Sequence, residues 1–128
     1  TGEKGTTNMM KLHLVGDELV KGQGVGRNSV VGNAVVVNEA SELEGRDLSN
    51  SVIVTHSTDE TFVPYVEQAA GLVAEEAGIT SPSAIIGLEQ GIPTIVGAKN
   101  ATKLIADDVT ITVDANTGRV YDGYANVL

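Results

Sequence analysis

Residues 51–97 alternate between short apolar runs that favour strands and segments with helical spacing. The runs SVIVT (Ser51–Thr55), GLVAE (Gly71–Glu75) and PTIVG (Pro93–Gly97) are typical of strands that are covered on both faces. Only a few residues separate each run from the helical segment beside it. This order predicts parallel strands joined by right-handed crossovers, and therefore an α/β fold with a βαβαβ centre.

Two helices are expected between these strands. The first follows HSTDET and should run for about three turns, because Pro64 fits its first turn and apolar residues recur at helical spacing: Phe62, Val63, Val66 and Ala70. The second should span Pro82 to Gln90. Thr80 or Ser81 can cap its start, and Gly91 supplies a left-handed stop before Pro93.

Glycine-rich β segments flank this centre. Alternating side chains predict a strand at Lys11–Val15, and β-branched residues predict another at Ser29–Val37. At the other end, strands at Val109–Val113 and Arg119–Tyr121 should form a hairpin around the turn 116–118.

Three glycines, Gly22, Gly24 and Gly26, invite comparison with the dinucleotide-binding fingerprint. That fingerprint requires a helix after the glycines, whereas a strand-forming run follows here. We therefore assign these glycines to turns and bulges at a sheet corner. The polar segment Asn38–Asn50 should be a loop with one helical turn.

Composition excludes several classes of function. A net charge of −9 without any basic cluster argues against nucleic acid and anionic membranes as partners. The absence of cysteine rules out disulfides, thiolate zinc sites and cysteine nucleophiles, and it fits a reducing cytoplasm. No apolar run approaches the roughly 20 residues of a membrane span. The start lacks Met and soon enters a strand-like run, which suggests a piece of a longer chain.

The start of the second helix is the candidate site. A helix N-terminus carries partial positive charge and free N–H groups, which favour anions. Candidate anion-binding residues are Thr80, Ser81, Ser83 and Ala84. Pro82 removes one N–H group from this set. A well-capped helix without a ligand is the alternative interpretation.

The stretch GITSPSAIIGLEQGIPTIVG resembles the phosphohistidine swivelling domain of phosphoenolpyruvate-utilising enzymes, whose pattern is roughly GGxTSHAAIVARxLGIPAVVG. The resemblance implies a three-layer β/β/α fold. The phosphorylated histidine of that family falls on Pro82, and proline has no nucleophilic nitrogen. We therefore expect no catalytic residue, no metal and no cofactor in this chain.

A narrower resemblance covers the whole chain. Residues 5–37 are similar to the junction in bacillus-type pyruvate kinases where the last strand of the kinase proper runs into an extra C-terminal domain. The ending, DVTITVDANTGRVYDGYANVL, resembles the final hairpin of that extra domain. On that resemblance, residues 1–18 end the preceding domain and residues 19–128 form the swivelling domain. The parent enzyme would transfer a phosphoryl group between phosphoenolpyruvate and ADP in glycolysis, using Mg²⁺ and K⁺. Expected partners are the rest of that enzyme, a neighbouring subunit or a small phosphorylated metabolite.

Two histidines, His13 and His56, are the remaining candidates for phosphoryl transfer, and His56 should lie near the Thr80 loop at the carboxyl edge of the sheet. The adjacent acidic pairs, Glu75–Glu76 among them, should diverge and be solvated.

Three functions remain open: a non-catalytic accessory domain of pyruvate kinase, a phosphate-binding module, and a phosphoryl carrier.

Overall fold

A computed structural model describes residues 17–123. The strand expected at Lys11–Val15 and the candidate His13 lie outside this range. The strands are β1 (Glu18–Lys21), β2 (Gln23–Val25), β3 (Ser29–Val36), β4 (Ser51–Thr55), β5 (Gly71–Ala74), β6 (Thr94–Val96), β7 (Thr110–Asp114) and β8 (Arg119–Asp122). The α-helices are α1 (Val63–Val66), α2 (Pro82–Gln90) and α3 (Ala101–Leu104). Single 3₁₀ turns occur at Ala40–Leu43 and Glu60–Phe62.

All eight strands form one mixed sheet in the order β1-β8-β7-β3-β4-β5-β6-β2. Strands β3, β4, β5 and β6 are mutually parallel, and the other pairings are antiparallel. The predicted α/β class and the βαβαβ centre are confirmed. The hairpin formed by β7 and β8 is also confirmed, as is the single helical turn in the 38–50 loop.

The two edge strands of this sheet are consecutive in the chain. Strand β1 pairs with β8 and strand β2 pairs with β6, yet only Gly22 separates β1 from β2. The Gly22 N–H donates to the carbonyl oxygen of Gly118 at 2.7 Å, and a Cβ on Gly22 would overlap the backbone of Val96. Because both edges meet at one residue, the sheet must curl back on itself. Glycine is required at this corner, as the sequence predicts.

Two apolar cores lie on opposite faces of the central strands. Alternate residues of β4 divide between them: Val52 and Val54 face one core, and Ile53 faces the other. The first core joins side chains of β1, β7, β8 and α3 to the central strands. The second core lies beneath α1, α2 and the 3₁₀ turn at 40–43. Helix α2 therefore covers one face of the parallel strands, with its N-terminus at their carboxyl edge.

The first predicted helix is shorter than expected. A 3₁₀ turn occupies its start, where the Asp59 carboxylate accepts from the Thr61 N–H at 2.9 Å, and helix α1 ends at Val66. Its end is set by the sheet, because the Ala70 N–H already donates to the Ser51 carbonyl oxygen at the entry to β5. The second predicted helix, Pro82–Gln90, is confirmed, and Gly91 ends it with φ 70°.

Candidate functional site

Ser81 is the N-cap of helix α2. Its extended backbone leads into Pro82 at the first helical position, which is exposed to solvent. The Ser81 Oγ accepts from the Ala84 N–H at 3.3 Å and donates to the Gly78 carbonyl oxygen at 2.7 Å. These two bonds fix the entry of the chain into the helix. Thr80, the other capping candidate, is exposed beside this cap.

A carboxylate of the protein itself occupies the start of helix α2. The Glu76 Oε2 accepts from the Ser83 N–H at 3.1 Å and also from the Ser83 hydroxyl. The same oxygen accepts a longer bond, 3.4 Å, from the Thr58 N–H. Since the Ser83 hydroxyl proton points to Glu76, the Thr58 hydroxyl donates to the Ser83 Oγ across 2.7 Å. Ser83 and Thr58 are both buried, whereas Glu76 is half-buried, so the bond between the two hydroxyl groups is the part of this network that is shielded from water.

The first-turn N–H groups of α2 therefore have internal partners. Pro82 has no N–H, the Ser83 N–H donates to Glu76, and the Ala84 N–H donates to the Ser81 Oγ. The Ile85 N–H makes the first regular helical bond, to the Ser81 carbonyl oxygen. An external anion would have to displace the Glu76 carboxylate, which also repels it electrostatically.

The neighbouring glutamate performs the same task for helix α3. The Glu75 Oε2 accepts from the Thr102 N–H at 2.8 Å and from the Thr102 hydroxyl at 2.6 Å. Burial raises the pKa of the Glu75 carboxyl, but hydrogen bonds from Thr102 and His56 outweigh it and hold the pKa below its ordinary value. Two adjacent residues at the end of β5 thus stabilise the starts of two different helices.

The expectation that the acidic pairs are simply solvated is wrong for Glu75 and Glu76. Their side chains do diverge, as the strand geometry predicts, but each accepts hydrogen bonds at a helix N-terminus. Sequence reasoning therefore missed Glu76 and Thr58 as members of the candidate site. Both residues follow a buried strand at the carboxyl edge of the sheet, and this position could have indicated that they belong to the site.

His56 lies at the same sheet edge, directly after β4. Its Nδ1 is 3.0 Å from the Glu75 Oε1, and its side chain is 73% exposed. Its carbonyl oxygen accepts from the Glu76 N–H. The imidazole therefore belongs to the Glu75–Thr102 group, whereas Glu76 binds Ser83. This arrangement leaves the His56 Nε2 directed away from the bonded carboxylate.

An open cleft of about 400 Å³ lies beside these groups, at the carboxyl ends of β3 and β4. Hydroxyl and carboxylate groups dominate its lining: Asn38, Glu39, Ala40, Ser41, Ser57, Thr58, Asp59, Thr61 and Phe62.

Across residues 17–123, no group of three or more histidine and carboxylate side chains could hold a metal ion. No helix in the same range is long and apolar enough to cross a membrane.

The whole chain is similar to part of several pyruvate kinases. Over all 128 residues it is 73% identical to the enzyme of Staphylococcus saprophyticus, 72% to that of Staphylococcus haemolyticus, and 64% to that of Staphylococcus aureus strain MRSA252. The chain spans 22% of the length of each of these relatives. The resemblance inferred from the sequence is thereby confirmed.

Solved structures agree with the fold at low sequence identity. Thermococcus kodakaraensis aconitase X in its holo form has a TM-score of 0.63 at 15% identity, covering 80% of this chain and 96% of that chain. Enzyme I (nEIt) has a TM-score of 0.53 at 23% identity, covering 62% of this chain and 33% of that chain. The family model described as "PEP-utilising enzyme, mobile domain" matches residues 48–118. The chain therefore belongs to the family of mobile domains of phosphoenolpyruvate-utilising enzymes.

Proposed function

We propose that this chain is a non-catalytic C-terminal accessory domain of a cytoplasmic pyruvate kinase, with a structural or regulatory role. The proposed boundary lies at residue 18: residues 19–128 form the swivelling domain together with Glu18, which begins strand β1, and the residues before Glu18 belong to the end of the preceding domain. High identity to staphylococcal pyruvate kinases over all 128 residues supports this assignment. The two cores on opposite faces of the central strands support a three-layer β/β/α arrangement of the swivelling type.

One observation carries the non-catalytic assignment. On the resemblance to the swivelling domains, Pro82 falls at the position of the family histidine, and the adjacent Ser83 donors are bonded to Glu76. A phosphoryl carrier needs a nucleophilic nitrogen there, and a phosphate needs free donors around it. The helix start has neither. Phosphoryl transfer from phosphoenolpyruvate to ADP, with its Mg²⁺ and K⁺, would take place in the remainder of the parent enzyme.

The test is removal of the domain from the parent enzyme. A chain truncated before Leu19 should change in its activity, its effector response or its sedimentation, while phosphoryl transfer itself persists. A full-length Lys103→Ala variant is the matched control, because it changes an exposed side chain on helix α3, away from helix α2, and keeps the domain. Truncated enzyme that matches the intact enzyme in all three measurements would refute an accessory role.

Binding of a phosphorylated metabolite at Thr80, Ser81, Ser83 and Ala84 is the alternative function, and it requires the ligand to displace the Glu76 carboxylate from the Ser83 donors. Millimolar phosphate or phosphoenolpyruvate should shift the amide resonances of Ser81, Ser83 and Ala84 if it displaces Glu76. Resonances that stay in place would leave only the structural role of this helix start.

The third hypothesis, a phosphoryl carrier, now depends on His56. The bond to Glu75 orients its ring and leaves Nε2 for attack on phosphorus. We expect no acid-labile phosphate on the chain after incubation with a phosphorylated donor enzyme. Acid-labile phosphate that is present in the wild type and missing in His56→Gln would overturn the non-catalytic assignment.

A further inference from the structure

Helix α2 exposes an apolar stripe that the internal packing of the domain does not use. Ile79 is 61% exposed, Ile85 is 46% exposed and Leu88 is 61% exposed. Leu104, on helix α3, is the fourth large hydrophobic residue exposed within residues 17–123. Three of these four side chains therefore lie on helix α2 or on the loop that enters it.

The geometry of the helix makes this stripe continuous. Pro82, Ile85 and Leu88 are spaced by three residues, so they lie along one side of the helix. The opposite side, which includes Ala84 and Gly87, is buried against the sheet. The three large side chains expose an apolar surface on the order of 300 Å², the lower end for patches that are often functional.

Charge is nearly absent from this helix. Its sequence, PSAIIGLEQ, has Glu89 as the only charged residue, although the chain has 17 acidic residues and a net charge of −9. Glu89 is exposed and lies one turn after Ile85, at the end of the stripe. Scattered exposed hydrophobic residues are normal on soluble proteins, whereas a row of them on a helix face with a single charge indicates a contact surface. Since the donors at the helix start are bonded internally, the contact uses the side of the helix.

We propose that the stripe formed by Ile79, Pro82, Ile85 and Leu88 docks onto the pyruvate kinase portion of the same polypeptide. This inference rests on the proposed function. The matched segment is only 22% of the length of the related enzymes, so most of such a chain lies outside it. A tether makes a small apolar interface sufficient, because it raises the effective concentration of the partner surface. The acidic domain around the stripe favours a partner surface that is apolar with a neutral or basic rim.

The test compares two charge substitutions in the full-length enzyme. Ile85→Glu combined with Leu88→Glu places two charges in the stripe, and Leu104→Glu places one on an exposed apolar residue outside it. Amide hydrogen exchange reports docking of residues 82–90, and small-angle scattering reports the distance between the domains. Ile79→Glu, in the loop before the helix, is a milder variant for use if the double variant unfolds.

We expect exchange in residues 82–90 to become at least ten times faster in the stripe variant, together with a larger radius of gyration. Exchange in β4 and β5 should stay unchanged in both variants, which separates undocking from unfolding. A stripe variant that behaves like Leu104→Glu would overturn the proposal. Dissociation of an oligomer by the stripe variant alone would also overturn it, because it places a second copy on the stripe. If the stripe variant has no effect but truncation before Leu19 does, the docking proposal is wrong and the accessory role still stands.

Discussion

Removal of the Glu76 carboxylate should destabilise the domain through helix α2. In Glu76→Ala the Ser83 N–H loses its acceptor in a buried position, while the Ser83 hydroxyl keeps its bond with Thr58. Hydrogen bonds to charged groups contribute roughly 1.5–3 kcal/mol, and an unsatisfied buried donor costs roughly 1–3 kcal/mol. These overlapping terms give an expected loss of about 2–3 kcal/mol. Glu76→Gln retains an acceptor without the charge, so it should lose about half as much.

Urea denaturation followed by circular dichroism measures this loss as a change in the free energy of unfolding. Glu89→Ala is the matched control, because Glu89 is an exposed glutamate of the same helix, near its C-terminus. A negative charge there is unfavourable with the helix dipole, so its removal should be neutral or slightly stabilising. If Glu76→Ala and Glu89→Ala agree within about 0.5 kcal/mol, which is the usual range of surface substitutions, the reasoning is refuted.

Three further predictions follow from the same structure. Gly87→Ala should destabilise the domain by roughly 1–2 kcal/mol in urea, because its new methyl group would overlap the buried Thr94 side chain; a stabilised variant would contradict this. The pKa of Glu75 is lower in the folded state than in the unfolded state, so ionised Glu75 stabilises the fold above about pH 4.3, and this stabilisation is lost as the pH falls through the pKa of the folded state. Glu75→Gln should therefore make the free energy of unfolding fall less steeply at acid pH. An unchanged fall would contradict this prediction. Phosphate should raise the melting temperature of Glu76→Ala more than that of the wild type, because the substitution frees donors at the helix start; equal shifts would show that these donors bind no anion.

Local signals explain why helix α2 could be predicted from the sequence to the residue. Ser81 caps it, Pro82 fits its first position, and Gly91 adopts the left-handed conformation that ends it. Each of these effects operates within one turn of chain. The central strands were predictable for a similar reason, since their continuous apolar runs report burial on both faces.

Other features depended on contacts between distant segments. Glu76 reaches Ser83 seven residues away, and Thr58 reaches Ser83 across 25 residues. Sequence spacing shows that the Glu75 and Glu76 side chains diverge. It cannot show that each of the two carboxylates lies beside the N-terminus of a different helix. The length of helix α1 was also set at a distance, by the bond between Ala70 and Ser51.

The meeting of both sheet edges at Gly22 bears on how the protein behaves at high concentration. An exposed strand edge is a template on which another molecule can add a strand, and such addition begins aggregation. Strands β1 and β2 offer four and three residues, and the chain turns sharply between them. Within residues 17–123 the edges of the sheet therefore offer few unpaired backbone N–H and C=O groups to an incoming strand. Backbone geometry thus opposes aggregation in addition to the acidic charge.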